Sequence, residues 1–297
     1  MTTEFVLAAD VGGTHITTAL IDITNRKIIL PSLVRTLVDS NGSADQIVQS
    51  WSQCLLNGKG EVGVLKICLA MPGPFDYDEG TSWMKGQGKY DSLYGLNVKQ
   101  LLAAAMQTEI SKIFAENDAA CFLQGEVFAG CVTEGFKKVI GVTLGTGLGT
   151  AVYENGRSHS ADLWSFPFYD SIAEDYLSTK WFVQRYEQLT GNKISGVKEI
   201  VEEAKTNATI QHIFKEFGRN LAAFLNSFAE KENAEAIVIG GNIANAFELF
   251  KDEAQENILA KFPSIHIKKS LLGEQSALYG AAGSWYNLAQ KNLAVSQ

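Results

Sequence analysis

The stretch Asp10-Val11-Gly12-Gly13-Thr14 decides the fold. It follows a short apolar run, Phe5 to Ala9, and leads directly into a second strand-like segment, Ile16 to Ile21, so the pattern predicts a β-hairpin rather than a strand-to-helix turn. Adjacent glycines let a backbone approach a ligand with nothing but N–H groups in the way. Thr14 adds a hydroxyl and Asp10 a carboxylate able to hold a hydrated cation, which together are the parts of a phosphate and magnesium site. A glycine-rich hairpin standing alone is also an ordinary turn.

A second stretch repeats the layout. The apolar run Val139 to Leu144 enters Gly145-Thr146-Gly147, and Leu148-Gly149-Thr150-Ala151-Val152 leaves it towards a further turn at Asn155-Gly156. Two phosphate-type hairpins predict two similar halves addressing one nucleotide. A dinucleotide-binding reading of Gly145, Gly147 and Gly149 fails, because that fold needs a helix after its glycines and Thr150-Ala151-Val152-Tyr153 is β-branched and aromatic. No Walker A lysine pattern is present.

A chain of 297 residues, 46% apolar and 20% charged, has the length for two domains. A net charge of −8 argues against a nucleic-acid surface, which needs clustered Lys and Arg. A small anion such as ATP remains compatible, since local N–H groups and a metal can hold it. No apolar run approaches the roughly 20 residues that cross a bilayer, and no signal peptide is visible, so a cytoplasmic protein without membrane contact is expected. Cys54, Cys68, Cys121 and Cys131 lack C-x-x-C spacing and sit in apolar contexts, which predicts buried thiols.

Strand-like runs at 5–9, 16–22 and 27–30 precede a helix near 44–56, a strand at 62–69, a helix near 97–106 and a strand near 111–115. A helix over Asp118–Ala129 follows, and 137–144 with 148–153 restart the opening pattern. Helical periodicity then covers about 171–189, 197–205, 209–230 and 243–261, around a strand Ala236–Ile239 that exits through Gly240-Gly241. A last strand, Ile265 to Lys268, precedes a helix Gln275 to Leu288, whose Gly280 and Gly283 mark a closely packed or ligand-facing side. The expected division is an N-terminal α/β domain over 1–117 and a larger α/β domain over 118–282, with the terminal helix, about 283–297, packing back on the first.

Glu116-Asn117-Asp118 stands where a strand gives way to a helix. Asn and Asp are favoured helix caps, but capping needs one of them. A carboxylate at that edge could take a hydroxyl proton as the oxygen attacks a γ-phosphorus, with Asn117 holding a neighbouring hydroxyl.

Taken in order, these motifs resemble the ROK family of sugar kinases (repressor, open reading frame, kinase), in the actin-like ATPase superfamily. Asp10-x-Gly12-Gly13-Thr14 resembles its first phosphate motif, and Ala70-Met71-Pro72-Gly73-Pro74 its Pro-Gly-Pro turn. Glu116-Asn117-Asp118-Ala119-Ala120 with Gly125-Glu126 resembles its catalytic segment, and Leu144 to Gly149 its second phosphate motif. Ile239-Gly240-Gly241-Asn242-Ile243 resembles its adenosine motif and Ser276 to Ala282 its C-terminal helix. The resemblance spans nearly the whole chain and implies an α/β, two-domain, actin-like (ribonuclease H-like) fold with an interdomain cleft.

The resemblance also implies roles. Asp118 would be the base, Asn117 would hold sugar hydroxyls, and Asp10 would position Mg²⁺ through water. Gly12, Gly13, Thr14, Gly145, Thr146 and Gly147 would grip the β- and γ-phosphates of ATP, and Gly240, Gly241 and Asn242 would receive adenosine. A homodimer is implied as well.

The departures are equally specific. Many members follow the second phosphate hairpin with a Gly-Glu-x-Gly-His segment and a cysteine-rich zinc loop. Here Ser160 to Ser178 holds no cysteine or histidine, so no structural zinc is expected. Ile172-Ala173-Glu174-Asp175-Tyr176-Leu177 resembles the end of that loop, which gives Glu174 a sugar-binding role. Asp162 replaces the missing segment's glutamate, or is a plain loop residue. Trp164, Phe166, Phe168 and Tyr169 either stack on a sugar or fill the volume of the lost zinc loop, and core filling is favoured. Trp83 to Asp91 falls where the family places a sugar-contacting loop, without its usual wording.

The expected function is therefore an ATP-dependent kinase of a hexose or N-acetylhexosamine, acting at the 6-hydroxyl. A catalytically inactive sugar or nucleotide sensor of the same family is the alternative. A sugar-responsive transcriptional regulator is disfavoured, because the first strand starts almost at Met1 and leaves no room for a DNA reader.

Overall fold

The computed structural model describes residues 4–132 and 135–295. In chain order the principal elements are β1 (Phe5–Val11), β2 (His15–Asp22), β3 (Lys27–Ile28), β4 (Val34–Leu37), α1 (Ala44–Lys59) and β5 (Lys66–Met71). Next come β6 (Phe75–Asp76), β7 (Thr81–Ser82), α2 (Val98–Ala105), β8 (Ile113–Asn117), α3 (Asp118–Phe128), β9 (Lys138–Leu144), β10 (Leu148–Glu154) and β11 (Arg157–Ser160). The remainder are β12 (Pro167–Phe168), β13 (Ser171–Ile172), α4 (Ala173–Tyr176), α5 (Thr179–Thr190), α6 (Ala208–Glu232), β14 (Ala236–Gly240), α7 (Lys251–Lys261), β15 (His266–Lys269) and α8 (Ser276–Val295). The helix expected to about 297 reaches residues 296 and 297, which lie outside the described residues.

Two compact units result. The first draws on the described residues of Met1–Thr133, Gly156–Ser158 and Gln275–Gln297, and the second on those of Glu134–Asn155 and His159–Glu274.

The sheet of the first unit runs β3-β2-β1-β5-β8, with β4 added to β2. β1 and β2 are antiparallel, whereas β1, β5 and β8 are parallel, so the carboxyl ends of three neighbouring strands share one edge. Period-two alternation sends Leu7, Ala9, Val11, Ile67, Leu69 and Met71 into one core, with Trp51 and Leu55 of α1 and Leu102 of α2. On the opposite face α8 packs on β1 and β5 and pairs closely with α3. Small residues make that pairing possible. A Cβ at Gly280 would stand 1.6 Å from the Cys121 carbonyl oxygen, and one at Gly125 would stand 2.0 Å from that of Ser276. Gly280 thus lies on the closely packed side of its helix. α1 begins where the pattern demands, at a Ser43–Gln46 capping box.

The second unit's sheet runs β11-β10-β9-β14-β15, with β9, β14 and β15 parallel. A strand hairpin followed by parallel strands therefore occurs twice, as the recurrent motifs imply. α6 carries Phe214, Phe217, Leu221, Phe224 and Phe228, spaced three and four apart, and all are buried with Ile140, Val142, Ile237 and Ile239. Burying each such side chain contributes about 1.5–3 kcal/mol.

Four expected elements differ. The helix near 197–205 is two short 3-10 turns, Val197–Ile200 and Glu203–Lys205. The strand near 27–30 stops at Ile28, because Pro31 has no N–H for a ladder and Leu30–Ser32 turns into a 3-10 helix. The helix at 171–189 is broken before α5, where the Thr179 N–H and hydroxyl both bond to the Gly145 carbonyl, at 2.8 and 2.9 Å. The helix at 243–261 is a kinked 3-10 segment, Asn242–Leu249, and then α7, with buried Phe250 at the break packed on Phe217 and Phe247.

Candidate active site

In the first unit the site residues collect at the shared carboxyl edge of the parallel strands. Asp10 is in register with Ala70 of β5, and Ala70 with Glu116 of β8. Chain spacing in a sheet is about 4.8 Å, so two strand steps of about 10 Å separate the Asp10 strand from the Asn117-Asp118 junction, with Pro72-Gly73-Pro74 leaving the strand between them. Ligands of open α/β sheets bind at this edge.

The Gly12-Gly13-Thr14 turn is a hairpin, with Val11 paired to Ile16 and the Gly12 N–H donating to the His15 carbonyl at 2.8 Å. Two outside contacts hold its shape. The Tyr90 hydroxyl donates to the Gly12 carbonyl at 2.5 Å, and the Val38 N–H donates to the Thr14 carbonyl at 2.9 Å. Tyr90 is fully buried edge-on to Trp51, and its burial pushes the phenol up to about 12, which keeps it a neutral donor. Gly12 and Thr14 are exposed and Gly13 half-buried, so the turn's surface is open to a ligand.

At the Glu116-Asn117-Asp118 junction, capping falls to Asn117. Its Oδ1 accepts the Ala120 N–H at 3.1 Å, and its Nδ2 donates to the Tyr77 hydroxyl at 3.0 Å. Tyr77 in turn donates to the Met71 carbonyl at 3.2 Å, and burial pushes its phenol well up. Asp118, half-buried in the first turn of α3, accepts the Ala119 N–H on Oδ1 at 2.8 Å. Glu116 is buried and paired with the Arg157 guanidinium at 2.9 Å. Arg157 follows the Asn155-Gly156 turn, and nothing in its local sequence marks it as a partner for Glu116, 41 residues away.

In the second unit Gly145-Thr146-Gly147 is a three-residue turn between paired Leu144 and Leu148. Glu174 braces it, because its carboxylate accepts the Leu148 N–H at 2.9 Å and lies 2.6 Å from where a Gly147 Cβ would be. Gly240 pairs with Thr143 beside that turn. Gly241 has φ +85°, and a Cβ there would stand 2.4 Å from the Leu144 carbonyl oxygen, so this glycine is demanded by packing on the strand that enters the Gly145–Gly147 turn. Asn242 is exposed at the start of the 3-10 segment. Asp162 is also exposed, in a left-handed conformation, and accepts the Ser160 hydroxyl at 2.7 Å.

The aromatic cluster divides. Phe168 is buried against Phe224, which is core filling, whereas Trp164, Phe166 and Tyr169 stay exposed. Cys54, Cys68 and Cys121 are buried and Cys131 is half-buried, and burial pushes the Cys68 and Cys121 thiols up. Among the described residues no helix is long and apolar enough to cross a membrane, and no group of three or more His, Cys, Asp and Glu could hold a metal ion.

Comparison with known proteins now decides the family. The ROK family model matches residues 6–162 and 171–287. The chain belongs to the ROK family. Over 92% of this chain and 96% of the relative, it is 23% identical to the N-acetyl-D-glucosamine kinase of Mannheimia succiniciproducens. The structure of a ROK family glucokinase from Streptomyces griseus in complex with glucose and AMPPNP is similar at a TM-score of 0.74 and 21% identity, covering 94% of this chain and 98% of the other. A ROK family transcriptional regulator, a homologue of the E. coli MLC protein, is similar at 0.78 and 15%, covering 96% of this chain and 78% of its own. The fold is the α/β actin-like ATPase fold expected from the motifs. This ROK chain lacks the zinc-loop cysteines between Ser160 and Ser178.

Sequence reasoning missed Tyr77, Arg157 and Thr179, and it named Tyr90 only as part of the 83–91 loop, not as a partner of Gly12. Each acts on a residue 34 or more positions away in the chain, so no local pattern could have found them.

Proposed function

We propose that this ROK protein is an ATP-dependent sugar kinase that transfers the γ-phosphoryl group to a hydroxyl of a hexose or N-acetylhexosamine, the 6-hydroxyl of a glucose-like ring. The observation that carries the reading is the common strand edge in the first unit, which gathers Asp10, the Gly12–Thr14 turn and Asp118 while Asn117 does the capping.

Asp118 takes the hydroxyl proton as the sugar oxygen bonds to the γ-phosphorus and the bond to the β-phosphate oxygen breaks, releasing ADP. Asn117 positions a neighbouring hydroxyl, and Glu174 and Asp162 offer further carboxylate acceptors to the sugar. Gly12, Gly13, Thr14, Gly145, Thr146 and Gly147 hold the β- and γ-phosphates in this reading. Gly240, Gly241 and Asn242 receive adenosine.

The donor set at Asp10 fits a hydrated magnesium ion: one half-buried carboxylate with backbone groups beside it supplies hard oxygen and leaves room for water ligands. Mg²⁺, when bound, neutralises phosphate charge. Its holder is Asp10, through water. The loop 160–178 offers no thiolate or imidazole, so zinc has no part in this reading. The same reading places the protein in the cytoplasm, as a homodimer without nucleic-acid or membrane partners.

The test is a coupled ADP-release assay with Mg·ATP across glucose, mannose, fructose, N-acetylglucosamine, N-acetylmannosamine and allose, with Asp118→Asn as control. Sugar-dependent turnover lost in the control supports the kinase. Calorimetric binding of a sugar without any turnover would overturn it in favour of an inactive sensor.

A further inference from the structure

We infer that Lys89 is a phosphate-binding residue, its ammonium neutralising the terminal phosphates of the nucleoside triphosphate held on the Gly12-Gly13-Thr14 turn. The inference rests on the kinase reading for the identity of the anion and goes beyond it in naming a cation that no phosphate motif contains.

Charge comes first. Neither Gly12–Thr14 nor Gly145–Gly147 contains Lys or Arg, and the first turn has the Asp10 carboxylate beside it. A nucleoside triphosphate carries more negative charge than one divalent ion offsets, so a protein cation near the turn would add to the neutralisation that the backbone N–H groups and the metal supply.

Position comes second. The Lys89 stem meets Gly13 at its Cδ, 3.6 Å from where a Gly13 Cβ would be, and the ammonium is two bonds further along that side chain. The glycine leaves that surface bare for it. Lys89 is half-buried and its neighbour Tyr90 is fully buried, so this is not a freely waving surface lysine. Tyr90 fastens the segment twice, through its hydroxyl to Gly12 and through its N–H to the Ser40 carbonyl at 2.7 Å. The approach to Lys89 is held too, since the Gly86 N–H bonds to both oxygens of Asp91 at 3.0 Å.

Availability comes third. Arg157 is committed to Glu116, Lys99 to the carbonyls of Tyr77 and Asp78, and Lys66 to the carbonyl of Ser111. Among the described residues no carboxylate or carbonyl takes the Lys89 ammonium. A compact ammonium on a flexible stem suits a phosphate, which needs charge more than a fixed fork of donors.

The experiment compares wild type with Lys89→Gln, Lys89→Met and Lys89→Arg. Calorimetry measures binding of Mg·AMPPNP and of AMP, thermal melting checks folding, and sugar-dependent ADP release is followed in parallel. We expect both neutral variants to fold and to bind Mg·AMPPNP at least about tenfold more weakly, with a shallower salt dependence, as for a lost charge-assisted hydrogen bond. AMP affinity stays within about twofold, and Lys89→Arg recovers most of the loss. Met keeps the apolar stem, so a loss shared by Gln and Met belongs to the charge. Unchanged Mg·AMPPNP affinity in both neutral variants overturns the inference. If the wild type turns over sugar all the same, the kinase reading stands without Lys89. Lys89-dependent Mg·AMPPNP binding without turnover on any sugar supports the phosphate role and overturns the kinase.

Discussion

Asn117 joins a helix cap to a tyrosine: its Oδ1 takes the Ala120 N–H while its Nδ2 reaches the Tyr77 hydroxyl at 3.0 Å. The same side chain thus starts α3 and ties that start to the segment after the Pro72-Gly73-Pro74 turn. The base assigned to Asp118 depends on this, because Asp118 is then not needed as the cap. Asp118→Asn keeps an oxygen for the Ala119 N–H and removes only the proton acceptor. We expect kcat to fall by about 10²-fold or more with sugar affinity nearly unchanged, since loss of a general base acts on the transition state. Tyr77→Phe, which keeps the cap but releases the Asn117 amide, should raise the sugar KM more than it lowers kcat. Steady-state kinetics and sugar calorimetry check both, and near-native turnover in Asp118→Asn would place the base elsewhere.

Glu174 bonds to the N–H of Leu148, the residue that follows the Gly145–Gly147 turn, as well as standing in the segment read as sugar-binding. Glu174→Gln keeps an acceptor for that N–H and loses the charge. Glu174→Ala loses both. If bracing the turn is its function, Gln should hold nucleotide affinity within about twofold while Ala weakens it by a hydrogen bond's worth, about fivefold to tenfold. Equal nucleotide affinity in wild type and Glu174→Ala, measured by AMPPNP calorimetry, would remove Glu174 from the turn and leave it the sugar role alone.

The Arg157–Glu116 pair carries a stability prediction. Glu116 is buried and Arg157 half-exposed, so deleting the arginine leaves a carboxylate in the interior beside Asn117. Arg157→Gln should cost about 1–3 kcal/mol, less than breaking a fully buried pair because water reaches the arginine side. Adding Glu116→Gln should restore part of it. Denaturant melts of the two singles and the double measure the coupling, and additive losses would show that the pair contributes nothing.

Much of this architecture is legible in the chain because its signals are local. The two Gly/Thr hairpins, the helical period near 44–56 and over 209–230, and the Asn117 helix start are each written within a turn or two of sequence. What supports the site is not written that way. Tyr90 reaches Gly12 from 78 residues downstream, and nothing in the wording of the 83–91 loop points to that partner. The family resemblance implies an adenosine role for Gly241, and the structure gives its small size another reason, the backbone of Leu144. The break before α5 is hidden for a similar reason, since residues 171–189 are helical in period, yet Ser171–Ile172 pairs as a strand with Pro167–Phe168 and Thr179 bonds to the distant Gly145 carbonyl.

The α3–α8 contact sets a sharper stability test. Gly280→Ala would place a methyl 1.6 Å from the Cys121 carbonyl oxygen, and helix backbone cannot yield as a flexible side chain does. A loss of more than about 3 kcal/mol, or failure to fold, is expected, at or beyond the upper end of ordinary overpacking. Gly145→Ala is the control, for nothing lies within 4 Å of its Cβ position. Equal melting temperatures for wild type and Gly280→Ala would mean that the two helices do not pack as described.

Asp175 gives the pH dependence of the segment that carries Glu174. The Ser171 hydroxyl donates to it at 2.6 Å and the Lys180 ammonium at 2.9 Å, and these two bonds, the hydroxyl's first, hold its carboxyl below the usual carboxylate range. A group whose pKa is lower folded than unfolded stabilises the fold fully above its unfolded value, about 3.9 for Asp, and loses that contribution as pH falls through the folded value. The stability gap between wild type and Asp175→Asn should therefore be constant from about pH 8 down to about pH 5 and shrink below about pH 4. Because Asp175 is partly solvent-exposed and its lysine more so, added salt should narrow the gap at neutral pH as well. Thermal melts of both proteins across that range check the sign: a gap that widens on acidification would require the aspartate to be held protonated in the fold, and would remove the Ser171–Asp175–Lys180 clip as the device that fixes α4.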